Sequence, residues 1–314
     1  MSKHLFGMML THEGTFANNR GESEGTATTL QKVLRDGELF STVSAEAMRY
    51  ALREMWQERR LELNRTIKPQ DANGDGYHLA FEDRSFEDWH QKVDDDLLGF
   101  MRADQGISRR SVVELTRAIS VTPWRGELMH NFASPGSNPS PGAGQENPIP
   151  YAVEVHHTRY QYGFAITPAA IGRKGLPPNA TEHLEAEQKK QRLTWALEGL
   201  ASLRRVGGNH ARYLADYSPE ALVLRWTDDP APRFLYCFEQ DEHGTLSVQR
   251  LVERTGEGDA DIHAEELIIG TPLEITGMET LEELGACRTA GIKQAVSEAL
   301  NRITESDLME SAED

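Results

Sequence analysis

The 314-residue chain predicts an α+β fold carrying large helical and loop insertions. Three observations lead to that class. An apolar, strand-like segment opens the chain; a strongly periodic helix follows; and after long polar insertions strands and helices mix irregularly. A doubly wound fold would instead alternate strand and helix regularly, so a mixed sheet protein fits better.

Residues 4–12 read as the opening strand, apolar until His12-Glu13-Gly14. Ser44 is placed as an N-cap with Glu46 in the first turn. Met48, Ala51, Leu52 and Met55 then recur at helical spacing. Arg49, Arg53 and Arg60 fall together on another face of that helix. They read either as a solvated face pairing with Glu46 and Glu54 or as a basic stripe that tracks phosphates. Residues 65–110 are polar, with a helix expected over 86–101. Val113, Leu115, Ile119 and Val121 favour a strand by their β-branched content. The segment from Pro123 to Pro150 is dense in Pro, Gly, Asn and Ser, a length of loop that is usually functional or disordered.

Tyr151, Val153 and Val155 share one parity, and Tyr160, Tyr162, Phe164 and Ile166 the other. The phase change at His156-His157 predicts a bulge or two strand segments. A helix is expected over 182–205. Strands follow over 220–227, 233–239 and 246–251, then a final helix over 279–303.

Composition bounds the function. A net charge of -17 argues against nonspecific nucleic-acid binding by the whole surface. Screening over about 10 Å still permits a local basic groove. Asp94-Asp95-Asp96, the stretch Glu253–Glu266 and the tail Glu305–Asp314 read as solvated surface and a frayed terminus. No apolar run is long enough to span a bilayer. Cys237 and Cys287, far apart and without a CxxC, supply neither a disulfide framework nor a zinc site. A cytoplasmic location is the default.

No GxSxG, Walker loop, GxGxxG or HExxH is present, and nothing in the chain demands an enzyme. Asp71 to Gly76 with Glu82 match the EF-hand loop expression. Pro69 in the entering segment, His78 in place of an apolar residue and the lack of a second hand favour a polar surface turn. The most informative stretch is Gly207-Gly208-Asn209-His210-Ala211-Arg212, after the basic Leu203-Arg204-Arg205. Paired glycines let another backbone approach, and Asn, His and Arg supply donors there, as for a phosphate. A helix C-cap would use the same glycines without a ligand.

Taken in order, several stretches resemble one family. They are Leu5–Thr11 with Asn18, Asn19 and Arg20; Ser41-Thr42-Val43-Ser44 leading into Arg49–Glu54; Asp94–Met101; and Gly207–Arg212. The chain resembles the backbone subunit of a type I-B CRISPR Cascade complex, in the DevR branch of the Cas seven family. The resemblance runs through most of the chain. It implies a single domain over 1–314 with an RRM-like, modified ferredoxin-like core, a finger-like insertion over about 60–105, a thumb-like loop over about 123–150 and an acidic disordered tail over 305–314.

It further implies that copies polymerise along a guide crRNA and present it for pairing with target DNA. Partners would include neighbouring copies, a 5′-handle-binding subunit, a large subunit and a crRNA-processing subunit, with no membrane, metal or cofactor. The RNA-binding residues so implied are Asn18, Asn19, Arg20, Ser41, Ser44, Arg49, Arg53, Gly207, Gly208, Asn209, His210 and Arg212. Protein contacts to such a guide belong on phosphate and 2′-OH groups, because its bases must stay free to pair. Three alternatives stay open: a target-RNA endonuclease using Asp36 of Arg35-Asp36-Gly37, a DevR-like autoregulatory protein acting outside any complex, and a plain scaffold or calcium-dependent adaptor.

Overall fold

The computed structural model describes residues 2–18, 23–24, 27–69, 77–133, 149–175, 179–207, 213–256 and 260–309. Its largest sheet is built from β1 (His4–Thr11), β2 (Lys32–Arg35), β3 (Glu38–Val43), β4 (Val113–Leu115), β5 (Ala118–Ser120), β8 (Tyr160–Ile166), β9 (Pro219–Thr227), β10 (Leu267–Gly270) and β11 (Cys287–Thr289). Among the described residues, β6 (Leu128–Ala133) and β7 (Ile149–Glu154) form a separate antiparallel arm.

β1 lies between β8 and β9, antiparallel to both, with Met8 opposite Gly163 and Val223. β8 pairs on its other side with β4 and β5. With α1 (Ala45–Glu58) and α3 (Ala186–Leu200) as crossovers, β1-α1-β4/β5-β8-α3-β9 is the ferredoxin-like arrangement, its strands ordered fourth, first, third, second. β2, β3, β10 and β11 extend that core at its edges.

Both faces of β1 are covered, which explains its nearly unbroken apolar run. Leu5 and Met9 face a core of Leu52, Trp56, Leu193, Leu197, Tyr162 and Leu224. Phe6, Met8 and Leu10 face the opposite layer with Val223, Phe234, Phe238 and Leu251. α1 and α3 pack closely because Gly199 has no side chain: a Cβ there would lie 2.9 Å from Leu52 and 3.3 Å from the Trp56 ring.

Several elements differ from the sequence expectation. The helix over 86–101 is only α2 (Val93–Leu98), since Gly99 turns to φ 67 and ends it. The 233–239 stretch is irregular apart from its last residue: Arg233 and Tyr236 take left-handed conformations, and Gln161 holds Phe238 by both its N–H and its C=O. Residues 246–251 give a two-residue strand, then a helix over Gln249–Arg254. The final helix is two, Met278–Glu283 and α4 (Ile292–Arg302), with β11 between them pairing parallel to β10. The phase change at His156-His157 is a break into β7, a short strand at His156–Thr158 and β8.

The expected long loop contains β6 and the first two residues of β7, and residues 134–148 lie outside the described residues. The acidic end is not wholly frayed. Glu305–Leu308 is helical, Leu308 is buried, and its carbonyl accepts from Lys189.

Candidate nucleic-acid interface

Ser44 caps α1, its hydroxyl accepting from the Ala47 N–H at 3.3 Å. The helix buries Met48, Ala51, Leu52, Met55 and Trp56, so Arg49 and Arg53 lie one turn apart on an adjoining face. That face is not a solvated stripe. Arg53 is 6% exposed, and its Nε lies 3.5 Å from the Asp94 carboxylate.

Asp94, Asp95 and Asp96 are themselves fully buried, correcting their reading as solvated surface. A buried carboxylate persists only with partners, and each has its own. Asp94 accepts from the Asn64 N–H at 2.7 Å and the Arg65 N–H at 3.1 Å. Asp95 accepts from the Asn64 amide at 2.6 Å and faces Arg65 at 3.5 Å. Asp96 takes Arg109 and Arg192, and the Gly172 N–H at 2.9 Å. Burial, then the charge of Arg65, lowers Arg53 to about 10, which leaves it cationic at neutral pH. Burial and the neighbouring Asp94 raise Asp95 to about 6, against the pull of Asn64 and Arg65.

Beside this network runs a groove of about 540 Å³ lined by Arg49, Arg53, Arg65 and Arg109 together with Tyr50 and Gly99. The Nε atoms of Arg49, Arg53 and Arg65 are buried and lack hydrogen-bond partners among the described residues. Asp94 attracts Arg53 and Arg65 electrostatically from 3.5 and 3.6 Å without taking those hydrogens. Five guanidiniums, counting Arg192, face three carboxylates, leaving a positive excess before Glu46 on α1 is counted. A ligand with several acceptor oxygens meets that need. Arg65, Arg109 and Gly99 are missing from the sequence-based set. Their signal was the acidic triplet set between Val93 and Leu97-Leu98: charges inside an apolar frame require buried counter-charges.

A second cluster gathers Asn18, Ser41 and Gly207. Gly207 has φ 76, and a Cβ there would lie 3.1 Å from Asn18 Oδ1. Asn18 is itself buried, with an unpartnered Nδ2 among the described residues. Ser41 is fully buried, within hydrogen-bonding distance of His156 Nδ1 (2.7 Å) and the Tyr160 hydroxyl (2.5 Å). His156 reaches Thr122, which bonds Thr158 at 2.7 Å. Burial lowers His156 to about 4, so this hub is neutral at pH 7. Burial also pushes the Tyr160 hydroxyl upward, against its hydrogen bond with Ser41. Ser41, Ser44 and Arg53 are thus committed inside the protein, where they shape the scaffold. Asn19, Arg20, Gly208, Asn209, His210 and Arg212 lie outside the described residues. The preceding Arg204 and Arg205 pair with Glu58 at the end of α1, Arg205 at 2.9 Å.

The remaining motifs have plain structural roles. Asp36 and Gly37, at φ 51 and 82, make the tight turn between β2 and β3, and the Asp36 side chain is 93% exposed. Glu82 pairs with Lys68 at 2.8 Å and Thr66 at 3.0 Å, while Asp71–Gly76 lie outside the described residues. Among the described residues no group of three or more His, Cys, Asp or Glu is arranged to hold a metal, and no helix is long and apolar enough to cross a membrane.

Comparison with known proteins bears on this arrangement. A family model described as "CRISPR-associated negative auto-regulator DevR/Csa2" matches residues 13–250. A Myxococcus xanthus (strain DK1622) protein, "CRISPR-associated protein Cas7/Cst2/DevR", is 40% identical over 321 residues, covering 96% of this chain and 98% of that one. Among solved structures, a chain of a "CRISPR RNA-guided surveillance complex" is similar with a TM-score of 0.57 at 14% identity, over 96% of this chain and 99% of that one. A chain from such a complex described as pre-nicking gives 0.58 at 13% identity, over 95% and 99%. At these identities the likeness is one of fold.

Proposed function

The chain belongs to the DevR/Csa2 family of CRISPR-associated proteins, the Cas7/Cst2/DevR group, and from that membership we propose that it is a crRNA-binding backbone subunit of a type I-B Cascade complex. In this reading copies polymerise along the guide RNA and present it for pairing with target DNA, in antiviral defence or RNA-guided transposition. The observation that carries it is the groove beside α1, lined by Arg49, Arg65 and Arg109, where Arg49 and Arg65 each hold an Nε–H without a partner among the described residues. Phosphate oxygens satisfy such donors without reading sequence, as a subunit that repeats along any guide requires. The folds of the two surveillance-complex chains support the same assignment. Cytoplasmic location and contacts with the other Cascade subunits belong to this proposal.

The role is binding rather than cleavage. Asp36, the residue an endonuclease reading would use, is explained by its hairpin turn. The name of the matching family carries a second reading, autoregulation outside a complex, which needs no guide RNA. Light scattering coupled to size exclusion, with and without guide-length single-stranded RNA, separates the two. RNA-dependent assembly that weakens with salt supports the backbone subunit, and a species that ignores RNA supports the regulator.

A further inference from the structure

The α1 groove adjoins a larger recess of about 1210 Å³; Phe100, Arg109 and Ser111 line both. The recess opens between the 85–112 insertion and the edge of the core where β1 begins at His4 and β8 gives way to Thr167. Its volume exceeds the roughly 300–1,000 Å³ of a closed small-molecule site, and its position next to the groove suits a chain rather than a compact ligand.

The walls combine rings and cations. Phe86 stacks on Phe100 at 4.2 Å, and the Arg109 guanidinium lies 3.8 Å over the Trp89 ring. Phe86 sits at φ 58, a conformation that a bulky residue rarely adopts and that is found where a surrounding site imposes it. Arg110 is 87% exposed; its pairing with Glu114 at 2.7 Å is a surface contact that a stronger anion displaces at little cost. Lys174 is exposed in the same lining. Leaving aside Arg109, which Asp96 already holds, the lining carries Arg110, Arg173 and Lys174 against Glu87 and Glu114, a local positive excess on an otherwise strongly acidic protein.

We infer that this recess is a second nucleic-acid subsite, taking a short unpaired stretch of the strand that runs out of the α1 groove. Phosphates lie on Arg110 and Lys174, and a base packs against Phe100, which is half-buried and backed by the buried Phe86. Aromatic surfaces beside a cationic track are the general means of holding unpaired strands. The inference rests on the proposed RNA-binding role of the α1 groove. The strand's source, RNA or single-stranded DNA, is left to the two arms of the test.

The test is a salt titration of binding by fluorescence anisotropy, run with guide-length single-stranded RNA and with DNA of the same sequence. The proteins are the unaltered chain and the Arg110→Gln/Lys174→Gln double variant, both substitutions being at exposed side chains. Photocrosslinking with 4-thiouridine or 4-thiothymidine, mapped by mass spectrometry, accompanies it. In the arm that uses the recess, the slope of log K against log salt falls by about 1.4, about 0.7 for each phosphate that the variant no longer neutralises. Crosslinks then map to Phe100. An unchanged slope in both arms with crosslinks confined to α1 overturns the recess and leaves the α1 reading standing. No binding by the unaltered chain overturns both. Loss of self-association by the double variant, with its RNA slope unchanged, overturns the subsite and assigns the recess to a protein partner.

Discussion

Gly207 and Asn18, distant in sequence, sit in contact: the position a Cβ would take on Gly207 is 3.1 Å from Asn18 Oδ1. Both belong to the set expected to meet RNA, and the fold joins the loop after β1 to the segment after α3 through this contact. Gly207→Ala must take φ 76 with a side chain and push Asn18 aside. Its expected cost is about 1–2 kcal/mol, read by urea denaturation, with weaker RNA binding because Asn18 is displaced. An alanine variant as stable and as tightly binding as the parent would remove Gly207 from the interface.

Arg49 and Arg53 share a helix face but should separate by assay. Arg53→Ala leaves the fully buried Asp94 with Arg65 as its remaining ion-pair partner among the described residues. The expected loss is about 3 kcal/mol, typical of removing one side of a buried pair. Arg49 has no comparable carboxylate partner among the described residues, so Arg49→Ala should cost under about 1 kcal/mol while lowering RNA affinity and its salt slope. Equal thermal shifts for the two variants would contradict the assignment.

Two buried groups give stability opposite pH dependences. His156, lowered to about 4, contributes stability that is present above its unfolded value near 6.5 and is lost as pH falls through 4. Asp95, raised to about 6, contributes stability that is present below its unfolded value near 3.9 and is lost as pH rises through 6. His156→Gln should therefore flatten the acid limb of a melting-temperature profile, and Asp95→Asn should raise stability at pH 7 relative to pH 5. Parallel profiles for parent and variants would show that neither proton is linked to folding.

Asp36→Asn preserves the left-handed turn, because asparagine tolerates that conformation. With magnesium present, guide RNA and complementary target RNA are expected to remain full length with the parent and the variant alike. Cleavage by the parent that disappears in Asp36→Asn would reinstate the endonuclease reading.

Local signals carried much of this fold into the sequence. The Ser44 cap, the stripe through Met48 to Met55, and the parity change at His156-His157 are each written in neighbouring residues, and each appears at its place. Where pattern reading failed, a local preference met a distant demand. The 279–303 segment has helical periodicity throughout, yet Gly285 at φ 115 and the parallel pairing of Cys287–Thr289 with β10 divide it. The 233–239 segment looks like a strand but is held across the core by Gln161, so its backbone follows that anchor.

The candidate site divides the same way. By itself the sequence determined that α1 carries two arginines one turn apart, that a glycine pair follows α3, and that three aspartates stand in a row, since residue type and spacing need no partner. Only the tertiary structure decided that the aspartates are inside, that they draw Arg53, Arg65, Arg109 and Arg192 around them, and that Arg49 borders the resulting groove. The reason is that charge in a low-dielectric interior is tolerated only where counter-charges and hydrogen-bond donors converge. Convergence of residues far apart in the chain is a property of packing, which spacing along the chain does not encode.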